Sequence, residues 1–282
     1  MAAVALLVAL SAATAPASPH GWEQIFSATA PRALLSAIAV VDDEGTWVAG
    51  GGDLIVRGGK GPAEAHSEPG AFIVGVVGGG QEPVLAVGAD DLILRWDGHA
   101  WVRESFAADA PKLGRSRRRR LLLQSAFRRD GQPLTAYGPW RVLTREGDGT
   151  WKGPAEADRY RLMTLAQMGP QGPLPKGCDR LQWRWLPTGE GWLGCRDGRS
   201  FLVGADGAAV EHGRMPKSCI EGLGTVARRG NTLFAACDKE TLWRSDGARW
   251  DRMQAPKVEA IAADARCLYG VAGGAVWRNC SP

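Results

Sequence analysis

The segment Val84-Leu-Ala-Val-Gly-Ala-Asp-Asp-Leu-Ile-Leu-Arg-Trp-Asp-Gly-His-Ala-Trp101 carries the pattern that decides the fold. A short strand of small apolar residues meets a tight Asp turn. A second strand follows and ends in Arg-Trp, and an Asp-Gly turn leads to a Trp that opens an outer strand. Thr232-Leu-Phe-Ala-Ala-Cys-Asp-Lys-Glu-Thr-Leu-Trp-Arg-Ser-Asp-Gly-Ala-Arg-Trp250 repeats it almost position for position. Leu134–Trp151 holds both halves, Trp47–Arg57 the first half, and Trp192–Val203 and Leu268–Arg278 complete six copies. In each copy an apolar strand precedes the quoted part, so the unit is four strands. Second-strand anchors fall near 47, 85, 134, 192, 233 and 268, spaced by 38, 49, 58, 41 and 35 residues. Propeller blades repeat every 40–50 residues or so.

A four-stranded antiparallel sheet that is apolar on both faces cannot stand alone in water. Stacking such sheets around an axis covers both faces and leaves only short edges. The expected fold is therefore all-β, a six-bladed β-propeller. The last copy has three strands before the chain ends at Pro282, and Gly21-Trp-Glu-Gln-Ile-Phe-Ser27 matches the outer-strand pattern Trp250-Asp-Arg-Met-Gln. Residues 21–28 are thus expected to complete the last blade and close the ring. The only candidate helical stretch after the N-terminal run is Tyr160–Met168.

The 282 residues are 45 % apolar and 23 % charged, which excludes wholesale disorder and a collagen-like fibre. Thirty-four Lys+Arg against 30 Asp+Glu give +4. Seven of those arginines lie in 115–129, where there is no acid, so the rest of the chain sums to 27 − 30 = −3. A general polyanion-binding domain and a specific nucleic-acid partner are not expected.

Residues 2–13 (AAVALLVALSAA) run into Ala15-Pro16-Ala17, an A-x-A-type cleavage site. Residues 1–17 read as a secretory signal peptide, with the α-amino group as the only positive charge ahead of the apolar run. A buried N-terminal helix is the competing reading. The run is too short for a membrane span of about 20 apolar residues. Residues 18–282 then form a single exported domain, periplasmic or extracellular, expected to be a monomer.

Six cysteines, all in the last 105 residues, agree with export. Cys178 and Cys219 stand just before first strands, and Cys195 and Cys237 end second strands. Equal placement pairs 178 with 195 and 219 with 237. A Gly273-Gly274 hairpin turn puts Cys267 opposite Cys280 at a non-hydrogen-bonded position, where Cα atoms lie about 4.5 Å apart. There is no C-x-x-C, and His20, His66, His99 and His212 are scattered, so neither a metal site nor a cofactor is expected.

Asp97-Gly-His-Ala-Trp101, Asp246-Gly-Ala-Arg-Trp250 and Thr144-Arg-Glu-Gly-Asp-Gly-Thr-Trp151 resemble the turns of BNR/Asp-box-type bacterial propeller repeats. The chain is similar above all to photosystem II assembly-factor-like propellers. In the last segment Glu146 stands in the Asp place and Asp148 in the Gly place. The resemblance implies a fold rather than a chemistry. Sialidases share the repeat type, and a sialidase would need an arginine triad, a Tyr–Glu pair and an acid Asp. Only Tyr137, Tyr160 and Tyr269 exist, and Tyr269 sits in a second strand. Asp42-Asp43-Glu44 and Asp90-Asp91 are adjacent acids explained by turns. Gly50-Gly-Gly52 and Gly78-Gly-Gly80 open no helix and are not phosphate loops.

Two long connectors flank blade 3 on one face. One holds Arg115-Ser-Arg117-Arg118-Arg119-Arg120, and the other holds Gly169-Pro-Gln-Gly-Pro-Leu-Pro-Lys-Gly177. The expected function is a non-catalytic binding or assembly scaffold. Arg115, Arg117, Arg118, Arg119 and Arg120 form the candidate patch for an unknown protein or an anionic envelope component. The alternative is an enzyme acting on a glycan or surface polymer in the central funnel. Convergent carboxylates at the funnel would favour the enzyme.

Overall fold

A computed structural model describes residues 21–28, 35–79, 82–106, 123–128, 133–138, 142–153, 162, 164–165, 169, 174–237 and 241–280. The chain forms six four-stranded antiparallel sheets in a ring, a six-bladed β-propeller. Strand β1 (Trp22–Ser27) comes first. Blade 1 is β2 (Ala37–Val40), β3 (Trp47–Gly51), β4 (Leu54–Gly58) and β5 (Glu64–Ser67); blade 2 is β6 (Ile73–Gly79), β7 (Glu82–Gly88), β8 (Ile93–Trp96) and β9 (Trp101–Arg103). Blade 3 is β10 (Ser125–Phe127), β11 (Thr135–Tyr137), β12 (Val142–Arg145) and β13 (Trp151–Lys152); blade 4 is β14 (Arg180–Trp185), β15 (Gly191–Cys195), β16 (Arg199–Val203) and β17 (Ala209–Arg214). Blade 5 is β18 (Leu223–Arg229), β19 (Thr232–Cys237), β20 (Thr241–Ser245) and β21 (Trp250–Met253). Blade 6 is β22 (Ala260–Ala263), β23 (Leu268–Ala272), β24 (Ala275–Asn279) and, as its fourth strand, β1.

The first strand of each blade is innermost, and first strands pack on one another at five seams, β2 on β6 and β22, β6 on β10, and β18 on β14 and β22. The second strand explains why the sequence reads as unbroken apolar runs. Successive side chains point to opposite faces, and both faces are seams. In β3, Trp47 and Ala49 enter the seam with blade 6, while Val48 enters the seam with blade 2. In β19, Leu233 and Ala235 face blade 4, and Phe234 and Ala236 face blade 6. The core is therefore a circle of inter-blade seams rather than one central cluster.

Closure is made by the N-terminal strand. Register partners run from Trp22↔Asn279 to Ser27↔Ala275, with a bulge between Gln24 and Phe26. Trp22 is 1 % exposed in the blade 5–6 cluster, and Phe26 packs on Trp47, 6.2 Å between rings, in the blade 6–1 cluster. One strand thus joins both seams that the last blade makes.

Disulfides join Cys178–Cys195, Cys219–Cys237 and Cys267–Cys280. The first two tie the connector entering a blade to the end of its second strand. The third clasps β23 to β24 at the opposite end of the blade. A short helix, Lys217–Glu221, carries Cys219 into the core. Sequence periodicity did not single it out, because five residues are too few to show a 3.6-residue repeat.

The turns follow their side chains. Asp97 accepts the N–H groups of His99 and Ala100, and Asp148, Asp206 and Asp246 each accept the N–H two residues on. These Asx turns replace the backbone bonds that a reversing chain gives up.

Candidate functional site

Two ends of the ring differ. On one lie the connectors between blades and the second-to-third-strand turns. On the other lie the first-to-second-strand turns. At this second end, arginines stitch successive blades. Arg229 of blade 5 donates to the carbonyl of Arg266 in blade 6 (3.1 Å), and Arg266 donates to the carbonyl of Asp43 in blade 1 (2.9 Å). Arg228 pairs with Glu190 of blade 4.

A small cleft opens where blade 6 meets blade 1, lined in part by Glu44, Lys60, Arg266, Arg278, Asp264 and Tyr269. Tyr269 is 1 % exposed and donates to Asp264 Oδ2 (2.9 Å). Asp264 Oδ1 accepts the N–H groups of Arg266 and Cys267. Burial, and then the Asp264 carboxylate, push the Tyr269 phenol far above its ordinary value. A tyrosine nucleophile needs its phenolate within reach. This pair instead clasps the turn between β22 and β23, and the hydroxyl sits where a Cβ on Gly45 would be 2.9 Å away.

The seam between blades 3 and 4 is built of rings. Phe127 stacks on Trp185 with centroids 4.5 Å apart and planes 1° from parallel. Tyr137 meets Phe127 edge-on at 5.7 Å, and Trp183 meets Trp185 likewise at 5.2 Å. Trp185 Nε1 donates to the carbonyl of Leu165, and Gly169 is buried against the Trp183 indole. Leu165 and Gly169 of the second long connector are therefore packing material, while its described end at Lys176 and Gly177 is exposed. Aromatic surface there needs cover, and Leu174 also packs beside Trp183.

Arg184 leaves this seam on the other face of β14. Its Nη2 donates to the carbonyl of Leu223 (2.8 Å) and its Nε to that of Gly224 (3.2 Å), both in the innermost strand of blade 5. Its Nη1 donates to the carbonyl of Trp183 and to Gln182 Oε1. Burial pushes its pKa down, and the interaction with Tyr137 opposes that shift. Burial also pushes the Tyr137 phenol up, against a hydrogen bond with Ser125 and the Arg184 charge.

The remaining sequence candidates separate. Arg115, Arg117, Arg118, Arg119 and Arg120 lie outside the described residues, as do Tyr160, the signal-peptide reading of 1–17 and residues 170–173. Asp90 and Asp91 form a turn with φ 56° at both positions, and Asp42 accepts the N–H groups of Glu44 and Thr46. His99 is in an exposed turn, and His212 is buried in an outer strand. Among the described residues no three His, Cys, Asp or Glu side chains cluster as metal ligands, and no helix is long and apolar enough to cross a membrane. The sequence reading missed Arg184. Its partners lie 39 and 40 residues away, and only their blade-equivalent position hints at contact.

No protein-family profile matches the chain, and no curated protein does. Solved structures do. YCF48 bound to D1 peptide superposes with a TM-score of 0.54 at 14 % identity, over 93 % of this chain and 97 % of that one. YCF48 from Cyanidioschyzon merolae gives 0.55 at 13 % identity over 92 % and 98 %. A chain of the mitotic checkpoint complex gives 0.56 at 10 % identity over 98 % and 99 %. The likeness is one of fold.

Proposed function

We propose that this protein is an exported, non-catalytic β-propeller that serves as a binding or assembly scaffold for a protein or an anionic envelope component. The observation that carries the reading is the Tyr269–Asp264 pair. The tyrosine–carboxylate pair found at a cleft is consumed in a structural clasp, with its phenol held protonated. A glycosidase needs two carboxylates about 5–10 Å apart. Arg184 bonds Gln182, and Tyr137, which bonds Ser125 and feels the Arg184 charge, brings no carboxylate to them.

Among proteins of this fold, YCF48 has been solved with a peptide bound, which supports a rigid ring that presents loops to a protein segment. The Asx turns at Asp97, Asp148 and Asp246 support kinship with Asp-box repeats. Three disulfides and the apolar leader support export to the periplasm or beyond. We place the partner surface on the connector carrying Arg115, Arg117, Arg118, Arg119 and Arg120.

The test is recovery of partners from the native envelope with the wild-type chain and a variant carrying alanine at Arg117–Arg120. The wild type should retain a partner that the variant loses and that rising salt releases. Equal recovery by both would remove the patch from the reading.

A further inference from the structure

Several arginines of the blades meet an acid, while Arg229 and Arg266, on the exposed rim, meet only carbonyl oxygens. Arg95 and Arg145 share Glu104, Arg228 has Glu190, and Arg278 has Glu23. Arg184 differs. It is half-buried between the innermost strands of blades 4 and 5, and its four hydrogen bonds all end on neutral oxygens. No carboxylate among the described residues pairs with it. Carbonyl dipoles offset only part of the cost of taking a cation out of water, and the rest is met by an opposite charge. A guanidinium has five N–H groups, so one on Nη2 has no partner among the described residues.

The neighbours are also donors. The Tyr137 phenol stays protonated, lies within electrostatic range of Arg184 and is bonded by Ser125. Gln182 spends its oxygen on Arg184, which leaves its NH2 group with no partner among the described residues. Phe127 and Trp185 form a stacked aromatic wall beside Tyr137. A cation, a phenol and a primary amide, with no acid among them, lack one thing, which is a compact acceptor with negative charge. A carboxylate supplies it, because its two oxygens can accept from Arg and from a second donor together.

We propose that the innermost strands of blades 4 and 5 hold a carboxylate-binding site centred on Arg184, with Gln182 of the same strand and Tyr137 of the second strand of blade 3 as the accompanying donors. The carboxylate comes either from a small free acid or from an acidic side chain of a bound peptide. The site does not depend on the arginine-rich connector or on the scaffold reading.

The chain from residue 18, with its disulfides intact, is titrated with sodium acetate against sodium chloride at equal ionic strength. Tryptophan emission and the thermal midpoint are followed, with Trp183 and Trp185 as local reporters. Acetate should give a saturable emission change and, at a hundredfold excess over Kd, a Tm rise of roughly 5 °C that chloride does not reproduce. Arg184→Met should abolish the response while keeping or raising Tm in chloride, because an apolar side chain of similar length replaces an uncompensated cation. Should that variant fail to fold, Tyr137→Phe gives the same reading through a loss of about tenfold in acetate affinity. An end-blocked Glu-rich hexapeptide that displaces acetate with tighter binding identifies the peptide source, and failure to displace it identifies a free acid. Identical effects of acetate and chloride on the wild type, or an undiminished acetate response in Arg184→Met, would overturn the proposal.

Discussion

Trp151 Nε1 in the outer strand of blade 3 donates to Glu104 Oε2, 3.0 Å away at the end of blade 2, and so ties two outer edges together. Arg145 reaches the same oxygen (3.0 Å), and Arg95 reaches Oε1 (2.5 Å). Glu104 is 8 % exposed. Burial alone would raise its pKa, but the bonds from Arg145 and Arg95 outweigh it and hold the carboxyl below its ordinary value.

Replacing this carboxylate should therefore unfasten the seam. Glu104→Gln leaves two guanidiniums facing a neutral group, and we expect a loss of about 3 kcal/mol. Urea unfolding at pH 7 measures it. The sign with pH follows from the lowered pKa. The contribution is full above the unfolded-state value near 4.5 and is lost as pH falls through the lower folded-state value. The gap between wild type and variant should narrow in acid, and a gap unchanged at pH 3 would contradict this account.

His212 predicts a second pH dependence at a higher window. It is 6 % exposed, its Nδ1 has no hydrogen-bond partner among the described residues, burial pushes its pKa below 6.5, Arg228 adds to the shift and Asp246 opposes it. The folded state keeps the ring neutral while the unfolded chain takes up a proton below about 6.5. Stability should therefore fall as pH drops from 7.5 to 5.5. In His212→Gln that slope should flatten, as read from thermal midpoints across the range.

Ring closure rests on Trp22 and Phe26. Trp22→Ala empties a site 1 % exposed in the blade 5–6 seam, and large-to-small changes of this kind cost about 3–5 kcal/mol. A fall in the denaturation midpoint of that order, with cooperative unfolding retained, is the expected result. A midpoint within error of wild type would mean that β1 does not hold the ring.

Gly75 tests the innermost circle. A Cβ there would lie 2.1 Å from the carbonyl oxygen of Gln124, so blades 2 and 3 touch backbone to backbone. Gly75→Ala forces the first strands apart and should cost about 1–3 kcal/mol. Circular dichroism melts against the open-site control Gly230→Ala would separate steric crowding from the loss of glycine alone, although Gly230 also has positive φ (57°). Gly61, which has open space and no positive φ, completes the comparison.

The blade count and the closing strand were legible because they depend on local patterns. Trp-opened outer strands and Asp turns repeat along the chain, and Trp22-Glu-Gln-Ile-Phe carries the same signature as Trp250-Asp-Arg-Met. The helix at Lys217–Glu221 was too short to leave a period. The packing of Gly169 on the Trp183 indole could not be read, because proline and glycine mark a break in regular structure without saying what covers it. The Glu104 knot could not be read, since Arg95 is near in sequence but Arg145 and Trp151 lie 41 and 47 residues away and match no spacing rule.

What the sequence determined by itself was the unit and its number. Alternation with period two and turn chemistry act over a few residues and recur in every copy. Which side chains meet across the seams was fixed by the packing of the blades alone. Arg184 joins the carbonyls of Leu223 and Gly224 with no acid beside it, and Tyr269 spends its hydroxyl on Asp264. Those outcomes depend on the rotation of one rigid sheet against the next, a distance set by the summed packing of Trp, Leu and Val in six seams and written in no single stretch of chain.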